Sequence, residues 1–154
     1  MSEWIAAALE AERQGREYPF AIFDQTGELV GSSRYMEVQT RDRGVEIGWT
    51  WYARRHWGTT VNPESKFILL RHAFEDWGAI RVALKTDVLN VHSQAAIRKL
   101  GARFEGVLRQ HRIRRDGSYR DTVMFSILDS EWPQVRERLL RRLDLPEAVA
   151  AINR

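Results

Sequence analysis

From Val45 to Val88 the chain passes from a strand pattern through a basic loop into a helix pattern and back to a strand pattern, with no linker between them. In "VEIGWTWY" (45–52) alternation places Val45, Ile47, Trp49 and Trp51 on one side of a strand. From about Pro63 to Trp77, Phe67, Leu70, Ala73, Phe74 and Trp77 recur at helical spacing, and Gly78 marks the stop. "IRVALKTDV" (80–88) is again a strand. Two strands joined through a helix of this length are expected to lie parallel in one sheet, with a right-handed crossover. Ligands of such units lie beyond the carboxyl end of the first strand and at the N-terminus of the crossover helix. The loop "RRHWGTTVNPESK" (54–66) occupies that place.

The flanking segments complete the sheet and its cover. Residues 3–14 read as a helix with Trp4, Ile5, Ala8 and Leu9 on one side and Gly15 at its end. "PFAIFD" (19–24) and "LVGSSRYMEVQ" (29–39) are strands, and with 45–52 they form an antiparallel meander joined by short turns. "NVHSQAAIRKLG" (90–101) is a helix opened by an Asn cap and closed by glycine. Residues 103–115 and 118–128 are strands joined by Asp116-Gly117, the preferred two-residue hairpin turn. Ser130 is placed to cap a last helix with Trp132, Val135, Leu139 and Leu143 as its apolar stripe. The order α-βββ-α-β-α-ββ-α predicts an α/β (α+β) fold, a mixed, mostly antiparallel central sheet flanked by helices.

The 154 residues amount to one domain, 1–154, with no internal repeat. There is no cysteine, so disulfides and thiolate metal sites are excluded. No apolar run reaches membrane-span length, and "MSEWIAAALEAER" makes a poor signal peptide, so a cytoplasmic protein without a membrane partner is expected. His56, His72, His92 and His111 show no paired metal-ligand spacing, so no metal is expected. A formal charge of +3, almost all of the cations being arginine, permits a phosphorylated ligand and does not call for nucleic acid.

Arg55-His56-Trp57-Gly58-Thr59-Thr60 resembles the Q/R-x-x-G-x-G/A signature of the GNAT N-acetyltransferases, whose main-chain N–H groups hold the pyrophosphate of acetyl-coenzyme A. "VEIGWTWYARRHWG" is similar to the family's strand running into that loop, and "LKTDVLNVHSQAAIRKLGARFEGVLRQ" to its following strand, helix and strand. "DGSYRDTVMFSILDSEW" resembles the terminal hairpin of the branch of ribosomal-protein N-terminal (RimJ/RimL-type) acetyltransferases. Two departures stand out. The last signature position is Thr60, followed by Asn62-Pro63, which predicts a helix start two or three residues late with Asn62 as cap. The family's usual first strand and helix are also missing ahead of residue 3, and a second copy of the chain is one way to complete the acceptor wall they form.

The resemblance implies an acetyl-coenzyme A-dependent N-acetyltransferase whose acceptor is a protein N-terminus or a small amine. It places the pantetheine arm beside the main chain of Thr50, Trp51 and Tyr52, and the pyrophosphate at Gly58, with Arg55, Thr59 and Thr60 contacting phosphate and Trp57 near the adenine. Asn90 would bond the pantetheine and Ser93 would protonate the departing sulfur; the alternative is simple helix capping, with Asn90 as cap and Ser93 at the third helical position, and for Asn90 the two readings are compatible. Glu46, read on the side shared by Gly48 and Thr50, is the first choice of general base, against a surface ion pair. His111 is the second, against an exposed strand histidine. A different reading keeps the fold without catalysis, as a coenzyme A-binding or an RNA- or ribosome-associated module. Thr60 and the missing front elements speak for it, and Asn90, Ser93 and the strand-loop-helix order against it.

Overall fold

The computed structural model describes residues 2–145. Helix α1 (Ser2–Arg13) precedes a meander of β1 (Glu17–Phe23), β2 (Leu29–Gln39) and β3 (Gly44–Tyr52). Helix α2 (Val61–Arg71) leads to β4 (Arg81–Asp87), α3 (Val91–Leu100), the hairpin β5 (Arg103–Ile113) and β6 (Tyr119–Leu128), and α4 (Trp132–Leu143). The six strands form one sheet in the order β1-β2-β3-β4-β6-β5. Only β3 and β4 run parallel, as a crossover through α2 requires. The fold class and element order agree with the sequence reading.

The main core lies on one face, where Tyr35, Val45, Ile47, Val82, Leu84 and Phe125 meet Phe67, Leu70 and Ala73 of α2 and Val135 and Leu139 of α4. The other face of β2 and β3 carries α1, which buries Ala8 and Ala11 while Ile5 and Leu9 stay exposed. The predicted α1 stripe is therefore rotated by about one residue. The last helix is capped by Glu131 rather than Ser130, and its stripe is as predicted.

Three local departures have definite causes. Helix α2 begins at Val61 with Thr60 as its N-cap, two residues earlier than the proline suggests. Pro63 sits in the first turn, where its missing N–H would have had no partner and no helical carbonyl lies four residues back to clash with its ring. The end of that helix widens into a π turn (His72–Asp76), which carries Trp77 out of the core stripe and onto Tyr35 and Tyr18. The β5–β6 connection is a three-residue loop, not a two-residue turn. The Gly117 N–H reaches back to the Arg114 carbonyl, Arg114 N–H pairs with the Ser118 carbonyl, and Gly117 takes the left-handed conformation (φ 83°) that closes such loops.

Candidate active site

Strands β3 and β4 are paired only from Gly44 to Glu46 against Arg81 to Ala83; beyond that point they part. On its paired side, against β2, β3 also holds a bulge. Arg34 stands opposite Gly48 and Ser32 opposite Trp51, so Trp49 and Thr50 share one partner, and Trp49 adopts φ 49°. The bulge reverses the alternation. Ile47 faces α2, but so does Thr50, whose hydroxyl meets Ser33 Oγ at 2.8 Å, whereas Trp51 lies edge-on to Trp4 of α1. Neither the expected common face of Val45, Ile47, Trp49 and Trp51 nor that of Glu46, Gly48 and Thr50 survives beyond Gly48.

Glu46 is buried at the vertex of the gap, on the α1 side of the sheet. Its carboxylate lies 2.6 Å from Lys85 Nζ of β4. Burial raises its pKa, and the Lys85 hydrogen bond opposes that rise without cancelling it. The carboxylate is therefore ion-paired, as the plainer reading from sequence held, but buried and with a lysine rather than with an arginine at the surface. Lys85 also bonds Glu37 at 3.0 Å. His111, exposed on β5, is held below its usual pKa by partial desolvation and then by Arg112, Lys85 and Arg120.

The loop after β3 forms a 3₁₀ turn (Arg54–His56), and Gly58 follows with φ 78°. A Cβ built there would meet nothing within 4 Å, so the main chain at Gly58 is open to an approaching ligand. The Thr59 hydroxyl does not point outward as a phosphate donor; it donates to the His56 carbonyl at 2.7 Å. Thr60 caps α2 through its carbonyl, which accepts from Glu64 N–H at 2.9 Å. Asn62 is not the cap; its side-chain oxygen accepts from the Tyr52 hydroxyl instead. Arg55 is paired with Glu28 of the β1–β2 turn. Trp57 donates its indole N–H to the Tyr52 carbonyl at 3.0 Å and stacks on His92 of α3, with ring centroids 6.1 Å apart. This aromatic pair spans the mouth of the gap.

Asn90 caps α3 by accepting from Ser93 N–H at 2.9 Å, as the plainer reading of these two residues holds. Ser93 itself is half-buried on the first turn, beside the end of β4. A groove lined by Phe23, Thr26, Thr60, Val61, Glu64 and Ser65 borders the same α2 terminus, away from Glu46 and Ser93. The fold also gathers Asp24, Glu28 and His56, which no sequence spacing announced, into a cluster whose donor atoms lie within 4.8 Å of one another.

Two cations were missed from sequence. Lys66 of α2 is buried, with Nζ 2.9 Å from Ser33 Oγ and 2.5 Å from Thr50 Oγ1. Its position four residues before Leu70 and seven before Ala73, on the buried stripe, was the available signal. Arg34 of β2 is buried between Trp4 and Trp49, paired with Glu17 at 2.7 Å.

Residues 1–103 of the chain match a family profile described as an acetyltransferase (GNAT) domain. The chain belongs to the GNAT acetyltransferase family. Acetyl transfer and the use of acetyl-coenzyme A come with that membership. The parted strands of this GNAT chain and the open main chain at Gly58 fit the coenzyme's shape: a slot for an extended arm and a cradle for a diphosphate. Among similar proteins, the N-acetyltransferase YoaA of Bacillus subtilis (strain 168) is 29% identical over 122 residues, covering 79% of this chain and 67% of the relative. A GCN5-related N-acetyltransferase from Brucella melitensis superposes with TM-score 0.86 at 28% identity, over 95% of this chain and 64% of that one. Mycobacterium smegmatis RimJ, solved in complex with CoA-disulfide, superposes with TM-score 0.78 at 27% identity, over 92% and 67%. The chain thus spans about two thirds of the length of these relatives.

Proposed function

We propose that the chain works as one acetyltransferase domain that moves an acetyl group directly from acetyl-coenzyme A to a primary amine, in a ternary complex. The observation that carries this reading is the parting of β3 and β4 just beyond Glu46, with the left-handed Gly58 and the N-terminus of α2 at its mouth. The coenzyme contributes an acyl carbonyl already activated as a thioester. The chain's own residues do the rest. Main-chain N–H groups from Gly58 to Thr60 hold phosphate, assisted by the positive end of α2. Arg55 contacts phosphate by exchanging its Glu28 partner, and Trp57, at the mouth, packs near the adenine. The main chain of Thr50, Trp51 and Tyr52 aligns the arm, and an N–H there polarises the carbonyl. Asn90 steadies the arm with the side-chain N–H₂ group that its cap leaves free.

The acceptor amine must be neutral to form the C–N bond. At pH 7 removing its proton costs about 1 kcal/mol for an α-amine and about 4.5 kcal/mol for an unperturbed lysine. One modest base therefore suits an α-amine, of a protein N-terminus or a small molecule. Glu46 takes that proton, since a buried carboxylate with a raised pKa is a better acceptor than a solvated one. His111, neutral near pH 7, relays it outward. Ser93 protonates the departing thiolate, a minor aid because a thiol of pKa near 8.5 leaves readily.

Incubation with acetyl-coenzyme A and a panel of peptides and small amines, with free thiol followed, tests this reading. Thiol release is expected with α-amine acceptors and not with ordinary lysine side chains. Tight coenzyme binding without thiol release across the panel would overturn the catalytic assignment.

A further inference from the structure

Lys66 is a buried cation without a counter-ion. Among the described residues no carboxylate lies within ion-pairing distance of its Nζ, and burial alone pushes its pKa down to about 7. Its hydrogen bonds go to Ser33 of β2 and Thr50 of β3, and those two hydroxyls also meet each other. The titratable neighbour on this face of β3 is Tyr52, whose hydroxyl is held by Ser65 and Asn62 and whose pKa is raised to about 12. The β4 side chains turned to the same face, Leu84 and Thr86, carry no charge. Thr50 is half of the bulge at which β3 turns its free edge to the gap.

A methionine would fill the same space without the desolvation that a lysine suffers. What lysine adds is a hydrogen-bonding link from the second turn of α2 to the bulge. The first turn of that helix is the phosphate-binding end, so the link joins the two parts of the coenzyme site. We propose that Lys66 is a positioning residue: acting through Thr50, it sets the β3 bulge so that the main chain there meets and polarises the thioester carbonyl. The inference rests on the acetyl-coenzyme A reading above.

Isotope-edited infrared spectroscopy of bound [1-¹³C]acetyl-coenzyme A, with calorimetry of coenzyme binding, separates the two. In the unaltered protein the carbonyl band shifts to lower wavenumber on binding, and the size of the shift changes with pH around 7. In Lys66→Met the band returns toward its free position and the pH dependence disappears, while the coenzyme Kd stays within about threefold. Thr50→Val, which keeps Lys66, gives the same return, and Thr50→Ser restores the shift. With any amine the enzyme accepts, Lys66→Met lowers kcat at least about tenfold and leaves the acetyl-coenzyme A KM nearly unchanged. Coenzyme bound with its carbonyl band shifted as far as in the unaltered protein, in both Lys66→Met and Thr50→Val, overturns this inference alone. No binding by the unaltered protein overturns the coenzyme reading and this inference with it. Thr50→Val keeps the test open if Lys66→Met does not fold.

Discussion

The Nζ of Lys85 lies 2.6 Å from a carboxylate oxygen of Glu46, across the point where β3 and β4 cease to pair. Glu46, opposite Ala83, is the last residue of β3 that pairs with β4. The ion pair therefore sits at the hinge of the gap, and it keeps a charged group stable in a place where burial would otherwise neutralise it.

Glu46→Gln removes the proposed base while keeping its shape. Acetyl transfer should fall about 10²- to 10⁴-fold, with coenzyme affinity little changed, measured by thiol release and calorimetry. The raised pKa of Glu46 also has a stability consequence. A carboxyl whose folded pKa exceeds its unfolded value stabilises the fold below the unfolded pKa, and that contribution is lost as pH rises through the folded pKa. The Glu46→Gln variant should escape this loss, so its Tm should fall less than that of the unaltered protein between acidic and neutral pH.

Asp87 behaves in the opposite sense. Arg114 grips it with two hydrogen bonds of 2.8 and 2.9 Å, which lower its pKa from 3.8 to about 2. The stability it provides is present above pH 3.8 and lost as pH falls toward 2. Thermal melts of Asp87→Asn should show a lower Tm than the unaltered protein near neutral pH, with the difference closing in acid.

Gly58→Ala separates backbone strain from ligand approach. The new Cβ meets no protein atom, so the folding cost is that of a left-handed non-glycine residue, about 1 kcal/mol, or a Tm loss of a few degrees. Coenzyme binding should suffer more, by about tenfold or greater in Kd, because the methyl group would stand where the proposed site takes up phosphate.

Gly31→Ala tests the seating of β3. An added Cβ would lie 2.5 Å from the Trp51 carbonyl oxygen and 2.7 Å from Tyr52 Cδ1. Backbone cannot give way cheaply, so a loss of about 1–3 kcal/mol is expected in denaturant melts, together with weakened coenzyme binding. A neutral Gly31→Ala variant would show that β2 and β3 are not held as closely as this structure places them.

Element order, the crossover, the capped α3 and the main-core stripes of α2 and α4 were legible in the sequence. They follow from periodicities of 2 and 3.6 and from glycine, proline and cap residues acting within a few positions of themselves. The signature around Gly58 was legible for the same reason, since its chemistry is that of a local backbone conformation. What tertiary structure alone decided is which groups meet. Nothing in "EIGWTWY" announces that one bulge reverses the alternation, bringing Thr50 to the face of Ile47 and Trp51 to the other, because bulges answer to the partner strand. Nor does local pattern show that Lys66 lies buried against two hydroxyls, that Arg55 finds Glu28, or that Glu46 is held by Lys85, 39 residues further on. Those pairings depend on distant segments packing at fixed register, and the electrostatics of the site follow from them.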